Sequence, residues 1–242
     1  MNGVRHAIYF APAPHDPLAG FGAAALGYDA EAGKSLPQPK LDGVHAADWR
    51  DWTAEPRRYG FHATLKAPFR LREPETEAAL FSALQEFAAR RASIGFDLKL
   101  ASIGRFIALV PTQPDDALSA LERDLVGTFE RFRAPLSEAE IARRLAAPLT
   151  QRQLASLGRF GYPYVLDDFR FHMTLSGPLE GDQRATAMQA LRTLLIQATA
   201  RPRAEIDSLA IFRQDSPGSN FRIVFRAPLR CAQKKEDVTQ GS

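Results

Sequence analysis

Two related segments constrain this chain more than any other feature: FHATLKAP at residues 61–68 and FHMTLSGP at residues 171–178. They lie 110 positions apart and match at Phe, His, Thr, Leu and Pro. Each is predicted to be a strand followed by a helix and then by a two-stranded hairpin. A repeated order of elements indicates two similar structural halves more strongly than a match of letters does. The simplest alternative is a coincidence between two unrelated strands.

The segments that follow each copy carry the signals of a helix and a hairpin. Residues 73–92 begin with acidic residues, end with arginines and place apolar side chains at helical spacing, which predicts an amphipathic helix. Residues 96–104 and 105–111 then predict two strands joined near Gly104. After the second copy, residues 182–200 predict a helix, and residues 204–215 and 219–229 predict the matching hairpin. Residues 34–57 are predicted to be a loop with one helical turn.

The two copies have the alternation of half-exposed strands. Side chains of a strand point to opposite faces in turn, so each copy has one apolar and one polar face. The predicted polar faces consist of His62, Thr64 and Lys66 in the first copy and His172, Thr174 and Ser176 in the second.

A pair of histidines with neighbouring threonines suits acid–base chemistry on a phosphodiester. Imidazole titrates near neutral pH, so one ring can accept a proton while the other donates one. Threonine hydroxyls can donate hydrogen bonds to phosphate oxygens that gain charge in the transition state. The sequence therefore favours one active site built from both halves.

Composition and missing motifs exclude several other classes of protein. The sequence has 31 basic and 28 acidic residues, a formal charge of +3, and no apolar run long enough to cross a bilayer. With Cys231 as the single cysteine, no disulfide framework forms. No secretory pattern is present, so we expect a cytoplasmic protein, and the polar residues 231–242 are expected to be disordered. Nucleotide-binding glycine loops, serine elbows and local metal-ligand pairs are absent, so we expect no cofactor and no metal.

The two His-x-Thr segments resemble the signature motifs of a known superfamily. FHATL and FHMTL are similar to the paired His-x-Thr signatures of the 2H phosphoesterases, which include RNA 2′,3′-cyclic phosphodiesterases and the 2′-5′ RNA ligases. AIYFAPAPHDPL, RYGFHATLKAPFRL and GRFIALVP further resemble a bacterial, DUF1045-like subgroup of phosphonate-metabolism proteins.

The resemblance implies an α+β, bilobal fold in which two pseudo-symmetric antiparallel sheets face a central groove, with helices outside. Residues 1–230 would form a single two-lobed domain. Its His-x-Thr halves would span about 1–112 and 113–230, with strands free to interleave. His62 and His172 would be the acid–base pair, and Thr64 and Thr174 the phosphate donors; which histidine is the base stays open. Further candidates for substrate binding are Tyr59, Lys66, Ser176, Arg105 and Arg213.

The predicted function is that of a hydrolase, a metal-independent 2H-type cyclic phosphodiesterase. Its substrate would be a small anionic sugar or nucleotide with a 2′,3′- or 1,2-cyclic phosphate, and phosphonate metabolism is the expected setting. Two alternatives remain: a non-catalytic RNA- or nucleotide-binding protein, and an enzyme that processes RNA ends. Scattered basic residues, nearly balanced by acidic ones, favour a small molecule over long RNA. The oligomeric state and any closure of residues 34–57 over the site stay open.

Overall fold

The computed structural model describes residues 3–230, so the expected disorder of residues 231–242 lies outside the described residues. The strands are β1 (Arg5–Phe10), β2 (Tyr28–Asp29), β3 (Lys34–Ser35), β4 (Ala63–Phe69), β5 (Ile94–Ile103), β6 (Phe106–Pro111), β7 (Met173–Thr174), β8 (Arg203–Ile206), β9 (Ser208–Gln214) and β10 (Arg222–Pro228). The α-helices are α1 (Pro17–Leu26), α2 (Ala46–Trp52), α3 (Ala54–Arg57), α4 (Glu77–Ala88), α5 (Asp116–Thr128), α6 (Glu138–Leu145), α7 (Gln151–Phe160) and α8 (Gly181–Ala198). Two 3-10 turns lie at Phe129–Phe132 and Leu166–Asp168.

The predicted α+β class is confirmed. Eight strands form one antiparallel sheet in the order β10-β9-β1-β4-β7-β6-β5-β8, and β2 pairs with β3 in a second, small sheet. The two groups of four strands meet where β4 pairs with β7, through Ala63 and Met173. This short contact joins the two expected antiparallel sheets into one.

The hairpins exchange partners between the two parts of the chain. The first His-x-Thr strand, β4, pairs with β1, which in turn pairs with β9 of the late β9–β10 hairpin. The second His-x-Thr strand, β7, pairs with β6 of the early β5–β6 hairpin. Each histidine strand is thus supported by a hairpin that follows the other one in the sequence.

The main core lies between the sheet and the helices. Buried side chains of α1, α4, α5 and α8 pack there against alternate strand residues, such as Ile8 and Phe10 of β1. The intervening β1 residue Tyr9 points to the opposite face, where a smaller apolar cluster includes Phe212 and Phe221. Helices therefore cover one face of the sheet, while the other face carries the polar His-x-Thr side chains.

The segment 34–57 has more regular structure than the sequence predicted. The segment 34–57, predicted as a loop with one turn, contains the strand β3 and the helices α2 and α3. The indole of Trp49 is buried in α2 and donates a hydrogen bond to the carbonyl of Ala25 at 3.0 Å, which ties this segment to α1. None of the helices within residues 3–230 combines the length and apolarity needed to span a bilayer.

Candidate active site

The pairing of β4 with β7 brings the two His-x-Thr motifs side by side. Ala63 and Met173 pair directly and are fully buried, so the residues on either side of each point to the other face. Continuing this antiparallel register sets each histidine opposite the threonine of the other strand, at a cross-strand separation of about 5 Å. One cleft of about 760 Å³ is lined by all four side chains: His62, Thr64, His172 and Thr174.

A backbone carbonyl fixes the imidazole of His62. Its Nδ1 donates a hydrogen bond to the carbonyl of Gly60 at 2.9 Å, which leaves Nε2 free to exchange a proton. The Thr64 hydroxyl lies 3.3 Å from that Nε2. Gly60 has a φ of +73°, and a Cβ there would lie 2.6 Å from the Cβ of Ala30. The loop that orients His62 therefore requires glycine at this position.

His172 is held in the same way. Its Nδ1 donates to the carbonyl of Arg170 at 2.7 Å, again two residues earlier in the chain. The ring lies next to Phe106, with centroids 5.7 Å apart. Each motif therefore positions its imidazole through a local carbonyl and presents Nε2 to the cleft.

Burial makes both imidazoles harder to protonate in the unliganded protein. It lowers the pKa of His62 from 6.5 to about 4; the Gly60 carbonyl opposes this shift, and the charge of His172 adds to it. The ring of Tyr9 covers one side of the His62 imidazole, stacked on it with centroids 3.9 Å apart. Burial also lowers the pKa of His172, against the effect of the Arg170 carbonyl. At neutral pH both rings are therefore neutral, ready to accept a proton.

The residue before the first histidine anchors its strand. Phe61 is buried and packs edge-on against Phe21 of α1, with centroids 6.0 Å apart. The ring occupies the space beside Gly22, where an added Cβ would lie 2.0 Å from ring atoms. This close packing of α1 on Phe61 holds the start of β4, and so His62, in place.

The predicted common face of His62, Thr64 and Lys66 is interrupted, and Lys66 does not reach the cleft. Tyr9 pairs with Thr64 and Ile8 with Lys66, so three residues of β4 oppose two of β1, with Leu65 as the extra residue of a bulge. Lys66 therefore points into the helix-covered side. Its Nζ donates to Glu130 at 3.0 Å and to the carbonyl of Val126 at 3.2 Å.

Ser176 and Tyr59 do line the cleft. The Ser176 hydroxyl is buried, accepts from the amide of Ile107 at 3.0 Å and donates to the carbonyl of Gly177 at 2.9 Å. Those contacts use the single donor of the hydroxyl to fix the chain after β7, so it is not offered to a ligand. Tyr59 stacks on Phe221 with centroids 5.2 Å apart, and its ring lies 6.1 Å from that of His62.

The two arginines suggested by the sequence lie elsewhere. Arg105 is exposed and forms a salt bridge with Glu180 at 2.6 Å. Arg213 lies in β9, between Glu77 at 3.2 Å and Asp215 at 2.8 Å. Neither side chain is part of the cleft lining.

A different set of cationic side chains surrounds the cleft, and sequence reasoning missed it. Two glutamates, Glu55 and Glu140, share the lining with five arginines: Arg5, Arg58, Arg70, Arg143 and Arg144. These arginines come from four separate parts of the chain, so no local pattern groups them. The adjacent pair at 143–144, in a helix with no buried residues, is the one signal that could have drawn attention.

A second cavity of about 410 Å³ adjoins the first and shares Thr64 and His172 with it. Its wall includes Glu122 of α5, a buried carboxyl that accepts hydrogen bonds from the amide of Leu166, the shorter at 3.1 Å. Burial raises the pKa of Glu122 to about 7. Within residues 3–230, no cluster of three or more His, Cys, Asp or Glu side chains has the arrangement of a metal site.

Comparison with known proteins gives a family match and two named relatives. Residues 64–222 match the model of the family described as "Protein of unknown function (DUF1045)". A protein of Janthinobacterium sp. (strain Marseille) named ribose 1,5-bisphosphate phosphokinase PhnN is 38% identical over 221 residues, which cover 90% of this chain and 49% of the relative. The protein of the same name from Laribacter hongkongensis (strain HLHK9) is 32% identical over 220 residues, covering 91% and 50%. The chain spans about half the length of these curated relatives.

Solved structures are similar only at a distance. Escherichia coli LigT, in complex with 3′-AMP, aligns with a TM-score of 0.44 and 15% identity, over 94% of this chain and 98% of that one. Kluyveromyces marxianus Usb1 aligns with a TM-score of 0.39 and 11% identity, over 94% and 99% of the two chains.

Proposed function

Because the chain belongs to the DUF1045 family, described only as of unknown function, we propose an activity from its site: metal-independent hydrolysis of a cyclic phosphodiester. The observation that carries this proposal is the pair of His-x-Thr motifs lining one cleft, each imidazole held through Nδ1, with Nε2 of His62 beside the Thr64 hydroxyl. Two proton-transfer groups in one cleft, with hydroxyl donors beside them, suit a reaction in which attack and departure occur on opposite sides of phosphorus.

In the proposed reaction, a neutral imidazole takes a proton from water as the water oxygen bonds to phosphorus. The bond from phosphorus to one ring oxygen breaks, and the other imidazole, in its protonated form, gives that oxygen a proton. Thr64 and Thr174 donate hydrogen bonds to the non-bridging oxygens, which gain charge in the transition state. The product is an acyclic phosphate monoester with a free hydroxyl. Proton exchange with solvent returns both imidazoles to their starting forms.

We assign the base to His62 and the acid to His172. His62 has a pKa of about 4 and stays neutral over the physiological range, as a base must. The acid has to be protonated in the complex, and the negative charge of a bound phosphodiester raises the pKa of a nearby imidazole. His172 lacks the aromatic cover that Tyr9 gives to His62, so protonating it costs less.

The substrate we propose is 5-phosphoribosyl 1,2-cyclic phosphate. The name of each curated relative describes a kinase that phosphorylates ribose 1,5-bisphosphate. This chain matches about half the length of each relative. A domain that shares a polypeptide with such a kinase could supply the kinase's substrate. Hydrolysis of the 1,2-cyclic phosphate at the bond between phosphorus and O2 leaves the phosphate on O1 and yields ribose 1,5-bisphosphate. This assignment agrees with a role in phosphonate metabolism, which the subgroup resemblance implies.

The test is turnover of a panel of cyclic phosphates in the presence of EDTA, with wild-type protein and single histidine variants. The panel contains 5-phosphoribosyl 1,2-cyclic phosphate, ribose 1,2-cyclic phosphate and 2′,3′-cyclic nucleotides. We expect His62→Ala and His172→Ala each to lower kcat by about 10²–10⁴-fold with folding retained. His45→Ala, which removes an exposed imidazole outside the cleft, is the matched control and should leave the rate unchanged.

Three outcomes would contradict the proposal. Activity that depends on an added divalent metal would refute the two-histidine mechanism. Tight binding of the panel without turnover would favour a binding protein, and faster turnover of RNA ends than of any sugar phosphate would favour RNA processing.

A further inference from the structure

Helix α6 lies at the rim of the cleft and is held by few apolar contacts. It contains no buried residue, and its apolar side chains Ile141 and Leu145 are exposed. Residues of α6 nevertheless line the cleft that contains both histidines, among them Arg143 and Arg144. Because little apolar surface is buried, the position of α6 depends on its polar contacts.

Those polar contacts are concentrated at the N-terminal end of the helix. Ser137 and Glu140 form a capping box, and Arg70 at the end of β4 donates to Glu140 at 2.8 Å. The same guanidinium donates to the carbonyl of Pro135 at 2.9 Å. The C-terminal turn of α6, which carries Arg143 and Arg144, has no comparable attachment within the part of the chain that the structure describes.

Within residues 3–230, the two arginines of that turn form no salt bridge, whereas Arg70 has its carboxylate in Glu140. Arg144 is half-buried, and burial is the main cause of its lowered pKa. A guanidinium shielded from water and without a carboxylate partner is prepared to bind a phosphate group through two parallel hydrogen bonds.

Tyr162 connects this cationic turn to the histidines. The Cζ atom of Arg144 lies 4.7 Å from the centre of the Tyr162 ring, which orients the guanidinium from one side. Tyr162 also lines the cavity that contains Thr64 and His172. The arginines therefore face the same space as the reacting groups, while belonging to a different part of its wall.

We propose that Arg143 and Arg144 form a subsite for a second phosphate group on the substrate, a terminal monoester distinct from the cyclic diester at the histidines. The inference rests on the proposed function and deepens it: the preferred substrate is a sugar that carries both a cyclic phosphate and a terminal phosphate. On 5-phosphoribosyl 1,2-cyclic phosphate the group bound there is the 5-phosphate.

The kinetic test compares two substrates that differ only in the 5-phosphate. A charge-assisted hydrogen bond contributes about 1.5–3 kcal/mol, so Arg144→Ala should lower kcat/KM for the phosphorylated sugar by about 10–150-fold, mostly through KM. For ribose 1,2-cyclic phosphate the same substitution should change kcat/KM less than about threefold. Arg144→Lys should restore part of the loss, because it keeps the charge without the planar guanidinium. Arg192→Ala, at an exposed position of α8 outside the cleft, is the matched control.

A binding measurement separates this inference from the proposed activity. Calorimetric titration with ribose 1,5-bisphosphate in EDTA should show about 10–150-fold weaker binding for Arg144→Ala, and weaker still for the double variant with Arg143→Ala. That result supports the subsite even if no turnover is found. Equal losses of kcat/KM on both substrates, or wild-type bisphosphate binding by the double variant, would overturn the subsite while leaving the histidine chemistry intact.

Discussion

The half-buried imidazole of His62 predicts a specific dependence of stability on pH. Its ring stacks on Tyr9 at 3.9 Å, and burial lowers its pKa from 6.5 to about 4. At 1.36 kcal/mol per pKa unit, the difference between the pKa values of His62 in the unfolded and the folded protein corresponds to about 3 kcal/mol of unfolding free energy. The unfolded chain takes up this proton near pH 6.5, whereas the folded protein does so only near pH 4. The contribution of neutral His62 to stability is therefore fully present above pH 6.5 and is lost as the pH falls to about 4.

Replacement of His62 by glutamine isolates this effect. Glutamine keeps a polar side chain in the cleft but cannot titrate. The stability of the His62→Gln variant therefore lacks this pH dependence. We expect the free energy of unfolding of the wild type, relative to His62→Gln, to fall by about 2 kcal/mol between pH 7 and pH 4.5. Urea unfolding at both pH values measures the difference, and His45→Gln controls for loss of an exposed imidazole. A difference in unfolding free energy between wild type and His62→Gln that is the same at both pH values would contradict this pH dependence.

Three further predictions test other parts of the structure. Lys66→Ala should lower the free energy of unfolding by about 1.5–3 kcal/mol, because it removes the hydrogen bond from Lys66 to Glu130 while Glu130 keeps its salt bridge with Arg133, and KM should stay unchanged; a raised KM with unaltered stability would show that this lysine acts in the cleft. Gly22→Ala should cost about 1–3 kcal/mol in urea unfolding, since the new methyl group overlaps the ring of Phe61, and wild-type stability would contradict that packing. The pH profile of kcat/KM should be bell-shaped with its optimum below pH 6.5, because burial lowers the pKa of both cleft histidines; a profile that is flat from pH 4 to 8 would exclude them as the acid and base.

Local periodicity explains why single elements could be predicted from sequence. The helix α4 and the β5–β6 hairpin follow from spacings of a few residues, whereas the α+β class was implied by the resemblance of the two His-x-Thr segments to a known superfamily. The same local rule placed His62 and Thr64 on one face of a strand. What the sequence could not reveal was the pairing of β4 with β7, which joins the sheets through Ala63 and Met173. That contact depends on residues more than a hundred positions apart.

Lys66 shows where alternation along a strand fails. Side chains alternate between the two faces of a strand only while the strand pairs regularly. The bulge at Leu65 interrupts that pairing, and it depends on how β4 aligns with β1. Past the bulge, the side chain turns from the cleft to the helices and to Glu130. The residues of the motif do not show that alignment. The motif alone therefore could not reveal that Lys66 faces away from the cleft.

The cationic lining of the cleft was unpredictable for a related reason. Arg5, Arg70 and Arg144 are brought together by three separate elements, so only the folded chain shows them as one surface. Arg105 and Arg213, which stood near strand ends in the sequence, form salt bridges elsewhere. Charge counts along the chain therefore say little about which arginines meet a ligand.

We propose that two histidines of one cleft open a cyclic phosphate by adding water, without a metal. This mechanism can be tested by ³¹P NMR of 5-phosphoribosyl 1,2-cyclic phosphate incubated with the protein in ¹⁸O-labelled water and EDTA. We expect the cyclic phosphate signal to be replaced by that of ribose 1,5-bisphosphate with one ¹⁸O on the new monoester, and His62→Ala and His172→Ala each to slow the change by about 10²–10⁴-fold. Persistence of the cyclic signal with wild-type protein, or ring opening at the wild-type rate after loss of either histidine, would contradict this mechanism.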